Sequence, residues 1–228
     1  MSAEPAPPAY ESLTAVDGAV LRVAAACEEL RSLRSGEAAG WRFHPAAAGE
    51  HGPVALSALD WRDAEKLDFL VLDGAAEALA SRGPGMAVLP VSFSTLSSSR
   101  GRRELTERLS GVAQAAGRRL AIEVRDLKGV PPQRLAEVLG LVRPACSGVI
   151  AETGPDRAEI AAIGHCGLSG VAIRTASDWS ADPAHLSRFQ ALTELARGCA
   201  PVCLARAVED DLVVLAAAGF THGAVARR

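Results

Sequence analysis

The 228-residue sequence has few cysteines, and they form none of the usual patterns. The five are scattered, odd in number and without a CxxC pair, which argues against a secreted disulfide framework and predicts a cytoplasmic protein. Cys199 and Cys203 lie four residues apart, but no second ligand pair is nearby. Because closed zinc sites normally take four ligands, no metal site is expected there.

Long apolar runs, an excess of basic residues and aromatic residues are also scarce. No apolar segment reaches the roughly 20 residues that a membrane-spanning helix needs, and the N-terminus lacks a signal-peptide pattern. The net charge of −3 makes a nucleic-acid polymer an unlikely partner. Aromatics make up 4% of the chain against 49% apolar residues overall. Most of these are Ala, Val and Leu, which suits helices packed closely on a sheet.

Strand-like and helix-like segments alternate after residue 85. Such alternation predicts parallel βαβ units. The predicted strands are Met86–Phe93, Leu120–Val124, Gly148–Ala151, Gly170–Ile173, Pro201–Leu204 and Thr221–Val225, and the helices between them are Glu104–Ala116, Pro132–Leu141, Asp156–Ile163, Asp182–Arg197 and Glu209–Ala217. No glycine-rich phosphate fingerprint follows a strand, which disfavours a dinucleotide-binding sheet.

The first part of the chain predicts a different organisation. Residues 1–12 are expected to be disordered, and residues 13–40 are predicted as a helix, which either packs on the domain or mediates homodimerisation. A hairpin follows, with strands at Trp41–Pro45 and Val54–Leu59, and then a helix over Arg62–Ala80. With these, the chain has eight strand candidates, which favours a closed barrel over the alternative, an open doubly wound sheet.

Three segments at the ends of predicted strands carry recognisable motifs: Phe43-His44-Pro45, Val91–Ser94 and Ile122–Asp126. Together they resemble the EAL family of cyclic-di-GMP phosphodiesterases, in which the corresponding segments are the opening Tyr-Gln-Pro, the Val-Asn-Leu-Ser strand and the Glu-x-Thr-Glu strand. The likeness covers residues 41–228 and implies an α/β fold, a modified TIM (β/α)8 barrel whose first strand is antiparallel. An N-terminal helix would precede it.

The motif that names the family has two candidate positions. Ser57-Ala58-Leu59 falls where Glu-Ala-Leu is expected if Phe43–Pro45 opens the barrel. In the other register, Glu37-Ala38-Ala39 is the motif, and Trp41–Pro45 continues the same strand. The first register is preferred. In the second register the first barrel strand would have to come from residues before Glu37, and their pattern is typical of a helix.

In the family, acidic and amide residues at the strand ends bind the metal ions. The resemblance implies that most of these residues are replaced in this chain. Two-metal hydrolysis of a phosphodiester needs several oxygen ligands around both ions. Only Glu123 is kept cleanly, and Glu152 stands beside Ala151 where the family has paired Asp. The implied positions of the degenerate site are Ser57, Ser92, Glu123, Glu152, Ala172, Arg206 and Glu209.

Arginine at position 206 carries the functional prediction. A guanidinium beside a divalent-metal site would repel the metal and could pair with Glu123 instead. We therefore expect no catalytic residues, no metal and no cofactor, and an inactive EAL-like domain that acts on an unidentified protein partner. The alternatives are a metal-independent cyclic-di-GMP receptor and, third, an active phosphodiesterase.

Five side chains are candidates for ligand binding in the receptor alternative. Arginines could contact phosphate groups without a metal. Two histidines near predicted strand ends, on the first and last strands, could also form a metal or acid–base pair, although backbone hydrogen bonding is the commoner role of such histidines. The candidates are Arg125, Arg174, Arg206, His44 and His222.

Overall fold

The computed structural model of the chain describes residues 10–56, 59–82, 85–116, 119–175, 183–207 and 212–226. The strands are β1 (Glu11–Thr14), β2 (Val20–Ser32), β3 (Ala38–Gly49), β4 (Gly52–Pro53), β5 (Met86–Ser92), β6 (Leu120–Arg125), β7 (Gly148–Thr153), β8 (Gly170–Ile173), β9 (Val202–Ala207) and β10 (His222–Ala226). The helices are α1 (Trp61–Ala80), α2 (Phe93–Ser97), α3 (Ser99–Ala116), α4 (Pro132–Val142), α5 (Arg157–Ala162), α6 (Pro183–Cys199) and α7 (Leu212–Ala217).

Eight of these strands close a barrel with one antiparallel member. β3, β5, β6, β7, β8, β9 and β10 pair in parallel, and β2 closes the ring by pairing antiparallel with both β3 and β10. The predicted α/β barrel with an antiparallel first strand is therefore confirmed, and the open-sheet alternative is wrong. Because parallel strands end on the same side, the carboxyl ends of β3 and β5–β10 define one mouth of the barrel.

The predicted helix over residues 13–40 is wrong. Glu11–Thr14 and Val20–Ser32 form an antiparallel hairpin, and the chain then enters β3 at Ala38. Ala, Leu and Glu favour helix in isolation, but β2 is paired on both sides, and this tertiary setting overrides the local preference. Of the N-terminal segment predicted to be disordered, Glu11 and Ser12 lie in β1, and residues 1–9 lie outside the described part of the chain.

The position of the first barrel strand also differs from the prediction. Trp41–Pro45 belongs to β3, the second barrel strand, and β2 is the antiparallel first strand. Val54–Leu59 was predicted as a strand, but its described residues are not extended strand. Trp41–Pro45 therefore lies on the second barrel strand, as in the register with Glu37-Ala38-Ala39, but Glu37 itself lies before that strand and away from its carboxyl end.

The apolar residues divide into three clusters that follow the pleat of the sheet. The largest lies between the outer face of the barrel and the surrounding helices. The second fills the inside of the barrel with one layer, formed by Leu30, Val88, Ala121, Ile150, Ala172, Leu204 and Ala224. The third joins the β1–β2 hairpin to α1 through Leu13, Leu21, Val23, Ala47, Leu67 and Val71.

Helix α1 also bonds to the end of β1 and to the turn that follows it. The Asp63 carboxylate accepts a hydrogen bond from the Val16 backbone N–H at 2.9 Å, and Lys66 Nζ donates to the Thr14 carbonyl at 3.2 Å. These two bonds connect α1 to the end of the hairpin's first strand and to the turn after it.

Candidate functional site

A layer of charged side chains lies directly above the apolar layer inside the barrel. Side chains two residues apart on a strand point to the same face, so each residue two positions nearer the mouth than an interior apolar residue also faces inward. The residues that follow this rule include Glu28 from Leu30, Glu123 from Ala121, Glu152 from Ile150, Arg174 from Ala172 and Arg206 from Leu204. On β3, Arg42 lies opposite the interior residue Val88 and joins the same layer.

The centre of the layer is a buried ion pair between Arg42 and Glu123. Both nitrogens of the arginine fork donate to this carboxylate, Nε to Oε2 at 2.7 Å and Nη2 to Oε1 at 2.5 Å. Both residues are almost fully buried. Burial alone would lower the pKa of Arg42, but Glu123 and Glu28 outweigh it and raise that pKa above its usual value. Arg42 is therefore charged, and it occupies both oxygens of Glu123.

A second carboxylate links this pair to Arg206. Glu28 is 1% exposed, accepts a bond from Arg206 Nε and lies 3.3 Å from Arg42 Nη1. Burial raises the pKa of Glu28, and the two arginines partly offset this increase. Arg206 was predicted to pair with Glu123. It lies in the same network, but its carboxylate partner is Glu28, and the partner of Glu123 is Arg42.

The remaining charges of the layer are Glu152 and Arg174. Burial, and then the nearby Glu123, raise the pKa of Glu152. Its carboxylate lies 3.9 Å from Arg174 Nε, and the arginine side chain is 64% exposed. Ala172 belongs to the apolar layer below and brings no polar group to this level. The positive charge nearest solvent is thus carried by Arg174 and Arg206.

The two predicted histidines lie at opposite ends of the barrel. On β2, His44 pairs with Ala26 and His222 pairs with Ser32, six residues further along. At about 3.3 Å per residue this is a separation on the order of 20 Å, so the two cannot act as a pair. His222 is at the end away from the mouth, where Nδ1 lies 2.9 Å from Thr221 Oγ1.

His44 joins the charged layer in its neutral form. Its Nε2 is 3.4 Å from Arg206 Nη2, and its Nδ1 is 3.7 Å from Glu28. Burial lowers the pKa of His44 to about 3, and the charges of Arg206 and Arg42 act in the same direction.

Arg125 and Ser92 belong to a second buried hydrogen-bond network, which is centred on Asp68. The Asp68 carboxylate of α1 accepts hydrogen bonds from Ser92 N at 2.7 Å, Ser92 Oγ at 2.8 Å, Thr95 Oγ1 at 2.7 Å and Arg125 Nη2 at 2.8 Å. Arg125 is buried at the carboxyl end of β6, where its Nη2 bonds to Asp68 and its charge lowers the pKa of Glu152. The Arg125 side chain is much less exposed than those of Arg174 and Arg206, and its role in ligand binding stays a prediction.

Two other predicted positions, Ser57 and Glu209, lie outside the described residues. Glu37, the motif position in the second register, is exposed before β3, at the opposite end of that strand from the mouth. Sequence reasoning missed Glu28 and Arg42. Glu28 is one of four charged residues of β2 and had been placed in a helix. Arg42 lies between Trp41 and Phe43, but that segment had been placed on the first barrel strand.

Comparisons with solved structures agree on the architecture. The chain superposes on the EAL domain of FimX from Xanthomonas citri in complex with c-diGMP, with TM-score 0.65 and 12% identity, covering 89% of this chain and 85% of that one. The FimX EAL domain from Pseudomonas aeruginosa, bound to c-di-GMP, gives TM-score 0.64 and 15% identity, with 89% and 88% coverage. This chain has the EAL-domain fold.

A longer protein shows the same likeness over part of its length. YkuI of Bacillus subtilis, with an EAL domain in complex with substrate c-di-GMP and calcium, gives TM-score 0.63 at 12% identity. The match covers 88% of this chain and 52% of YkuI, so the chain spans about half of that protein. A scan of protein-family models and a search of curated protein sequences found no match.

Two further findings concern the site and the helices. Within the described ranges, no group of three or more His, Cys, Asp or Glu side chains is arranged to hold a metal ion. None of the helices in those ranges is long and apolar enough to cross a membrane.

Proposed function

We propose that the chain is a catalytically inactive EAL-fold domain that acts as a regulatory or protein-interaction module in cytoplasmic cyclic-di-GMP signalling. The observation that carries this proposal is the two-pronged bond of Arg42 to Glu123. Divalent ions such as Mg²⁺ bind through oxygen ligands, and here a guanidinium holds both oxygens of the carboxylate. Arg206 on Glu28 adds a second fixed positive charge to the same layer.

The chemistry of phosphodiester hydrolysis explains why these arginines matter. Two metal ions about 3.5–4 Å apart activate the attacking water and neutralise charge on the leaving oxygen. In this layer three carboxylates, Glu28, Glu123 and Glu152, face three arginines, Arg42, Arg174 and Arg206. The carboxylate charge that would attract two divalent ions is therefore already balanced by the protein.

A turnover assay tests this proposal. The purified chain is incubated with cyclic-di-GMP and either Mg²⁺ or Mn²⁺, and the products are separated by chromatography beside an active EAL phosphodiesterase. We expect no product above the protein-free control. Turnover that depends on metal and disappears in Glu123→Gln would show that the chain is an enzyme.

A second candidate function is a metal-independent cyclic-di-GMP receptor. The side chains of Arg174 and Arg206 are 64% and 57% exposed at the mouth, so they remain accessible to phosphate oxygens. Both FimX domains that share the fold are complexes with this nucleotide. Calorimetric titration with cyclic-di-GMP, with and without Mg²⁺, separates the candidates, because the interaction-module proposal predicts no heat at high micromolar ligand.

The partner of the interaction module is expected to be a protein, and a second copy of the chain is one candidate. Residues 13–40 form strands and not the helix that suggested homodimerisation, so helix packing gives no reason to expect a dimer.

A further inference from the structure

The outer edge of β1 carries backbone groups that point away from the rest of the sheet. β1 is an end strand of the sheet, and β2 is its pairing partner among the described strands. In an antiparallel pair, every second residue bonds across to the neighbouring strand, and Ala15 N donates to the Ala19 carbonyl at 2.8 Å. Counted back from Ala15, Leu13 also bonds to β2, whereas the N–H and C=O groups of Ser12 and Thr14 point outward.

Helix α1 bonds to one end of this edge and leaves the other end open. Lys66 Nζ donates to the Thr14 carbonyl and Asp63 accepts from Val16 N–H, which agrees with the outward direction of these groups. Within the described part of the chain, no group bonds to the N–H and C=O of Ser12 or to the N–H of Thr14. An open strand edge of this kind is a template for pairing with another chain.

The surface beside the open edge is partly apolar. Six large apolar side chains are exposed among the described residues, and three of them lie on or beside the β1–β2 hairpin: Tyr10, Val16 and Val20, at 50%, 51% and 61% exposure. The Arg22 guanidinium lies 4.6 Å from the centre of the Tyr10 ring. Apolar side chains gathered on one exposed surface, with Tyr and Arg among them, are typical of an interaction site.

A second copy of β1 fits this edge when the two strands run antiparallel and a two-fold axis passes beside Ser12. The two Ser12 residues then exchange both backbone bonds, and Thr14 N–H donates to the Tyr10 carbonyl of the other copy. The Thr14 carbonyl, which already accepts from Lys66, is not needed. The contact is isologous, so each copy supplies the groups that the other requires.

This register also brings opposite charges together. Glu11 of one copy lies opposite Leu13 of the other, on the face of the hairpin that packs on α1. Lys66 is close to this point, because its Nζ is 3.2 Å from the Thr14 carbonyl. Glu11 is exposed, and no positively charged group of the described residues pairs with it. Opposite charges on neighbouring strands stabilise their pairing, and the two-fold axis repeats the contact.

We infer that two copies of the chain associate through the edges of their β1 strands and extend the sheet across a two-fold axis. The inference rests on the proposed interaction function and deepens it, because it names the partner and the surface. β1 has four residues, so the contact is smaller than that of a permanent dimer. We therefore expect a reversible dimer with a dissociation constant in the micromolar range.

Sedimentation equilibrium over a range of protein concentrations tests this dimer. Ser12→Pro removes the outward N–H and places a ring at the edge, but it breaks no bond within the chain. Glu11→Lys reverses the charge that faces Lys66, and the control Glu50→Lys makes the same change in the exposed turn between β3 and β4. The control should dimerise like the wild type, whereas Ser12→Pro and Glu11→Lys should each weaken dimerisation about tenfold or more.

Disulfide cross-linking tests the register of the two strands. Residues that exchange hydrogen bonds in an antiparallel pair have Cα atoms about 5.5 Å apart, which a disulfide can span. Ser12→Cys should therefore give a covalent dimer under mild oxidation. The control Thr14→Cys should give no more than the wild type, because the two Thr14 residues are offset by about 13 Å along the strands.

The inference is wrong if the wild type remains monomeric at the highest concentration, if Ser12→Pro dimerises like Glu50→Lys, or if Ser12→Cys and Thr14→Cys cross-link equally. Thermal unfolding at low protein concentration should be the same for Ser12→Pro and the wild type. If Ser12→Pro fails to fold, Glu11→Lys and the cross-linking decide the question.

This outcome is independent of the turnover assay. Metal-dependent hydrolysis of cyclic-di-GMP would contradict the proposed function, whereas an inactive chain that stays monomeric would contradict only the β1 dimer.

Discussion

Replacing Arg42 with Met should destabilise the protein strongly, because it removes the central cation of the buried layer. Glu123 would lose both of its hydrogen bonds from the fork, and Glu28 would keep only Arg206. Glu123 is 2% exposed and cannot recover its hydration by a small movement. Breaking a buried ion pair by removing one partner costs about 3–5 kcal/mol.

The magnitude depends on the charge left behind more than on the bond that is lost. A buried pair replaced on both sides by apolar residues of similar size is often neutral for stability or even stabilising. The double variant Arg42→Met/Glu123→Leu should therefore recover most of the loss seen in Arg42→Met. The matched surface pair, Arg134 with Glu137, should contribute only about 0–1 kcal/mol.

Urea unfolding of the four members of this double-mutant cycle measures the coupling energy. The reasoning requires a coupling of at least about 2 kcal/mol for Arg42 and Glu123, and much less for Arg134 and Glu137 in the same assay. If Arg42→Met costs under about 1 kcal/mol, or if the two substitutions are additive, the carboxylate is not buried against this arginine in solution.

Two other predictions concern single polar groups near the mouth. Asp68→Ala removes the acceptor of four hydrogen bonds and should lower the free energy of unfolding in urea by about 3 kcal/mol or more. The control Asp73→Ala, at a half-exposed carboxylate, should lower it by under about 1 kcal/mol. Similar decreases in the two variants would contradict the buried network. Because the pKa of His44 is about 3 in the folded protein and 6.5 in the unfolded chain, a falling pH protonates the unfolded chain before the folded protein. The stabilising contribution of neutral His44 is therefore present above pH 6.5 and is lost as the pH falls towards about 3. The difference in unfolding free energy between the wild type and His44→Gln should shrink over that interval, and a constant difference would show that His44 keeps an ordinary pKa.

The alternating part of the chain was predictable because its local and tertiary preferences agree. Strands β5–β10 are short apolar runs separated by amphipathic helices, and parallel barrel strands buried on both faces produce this pattern. Helix α1 was likewise predicted to within a residue, over Arg62–Ala80 against Trp61–Ala80. Its start is fixed by Asp60, whose side chain accepts a bond from Arg62 N.

Strand β2 was not predictable from local pattern, because its composition favours another structure. Its Ala, Leu and Glu residues are good helix formers. Its interior residues nevertheless follow a period of two near the mouth, with Glu28 and Leu30 inside the barrel. Only the pairing of β2 with both β3 and β10 selects the extended form, and those partners come from opposite ends of the sequence. Placing Glu28 in a helix hid the counter-charge of Arg206.

The register of β3 had a physical cue at Gly40. This residue was taken as the end of a helix, yet it lies inside β3, where an added Cβ would come within 2.0 Å of the Met86 carbonyl. Only glycine allows β3 and β5 to approach so closely at the point where their pairing begins. With Gly40 in the strand, the period of two brings Arg42 to the interior.

The charged layer is best understood as one unit, because each member sets the cost of changing another. Changing Arg42 alone to an acid would place three carboxylates, at positions 28, 42 and 123, around one buried point with only Arg206 in direct contact. Changing Arg206 alone would leave Glu28 dependent on Arg42, which already bonds to Glu123 through two nitrogens. A metal-binding arrangement would therefore need several coordinated substitutions, and each intermediate would carry an unpaired buried charge. This mutual dependence is the physical reason to treat the arginines as part of the fold as well as part of the proposed site.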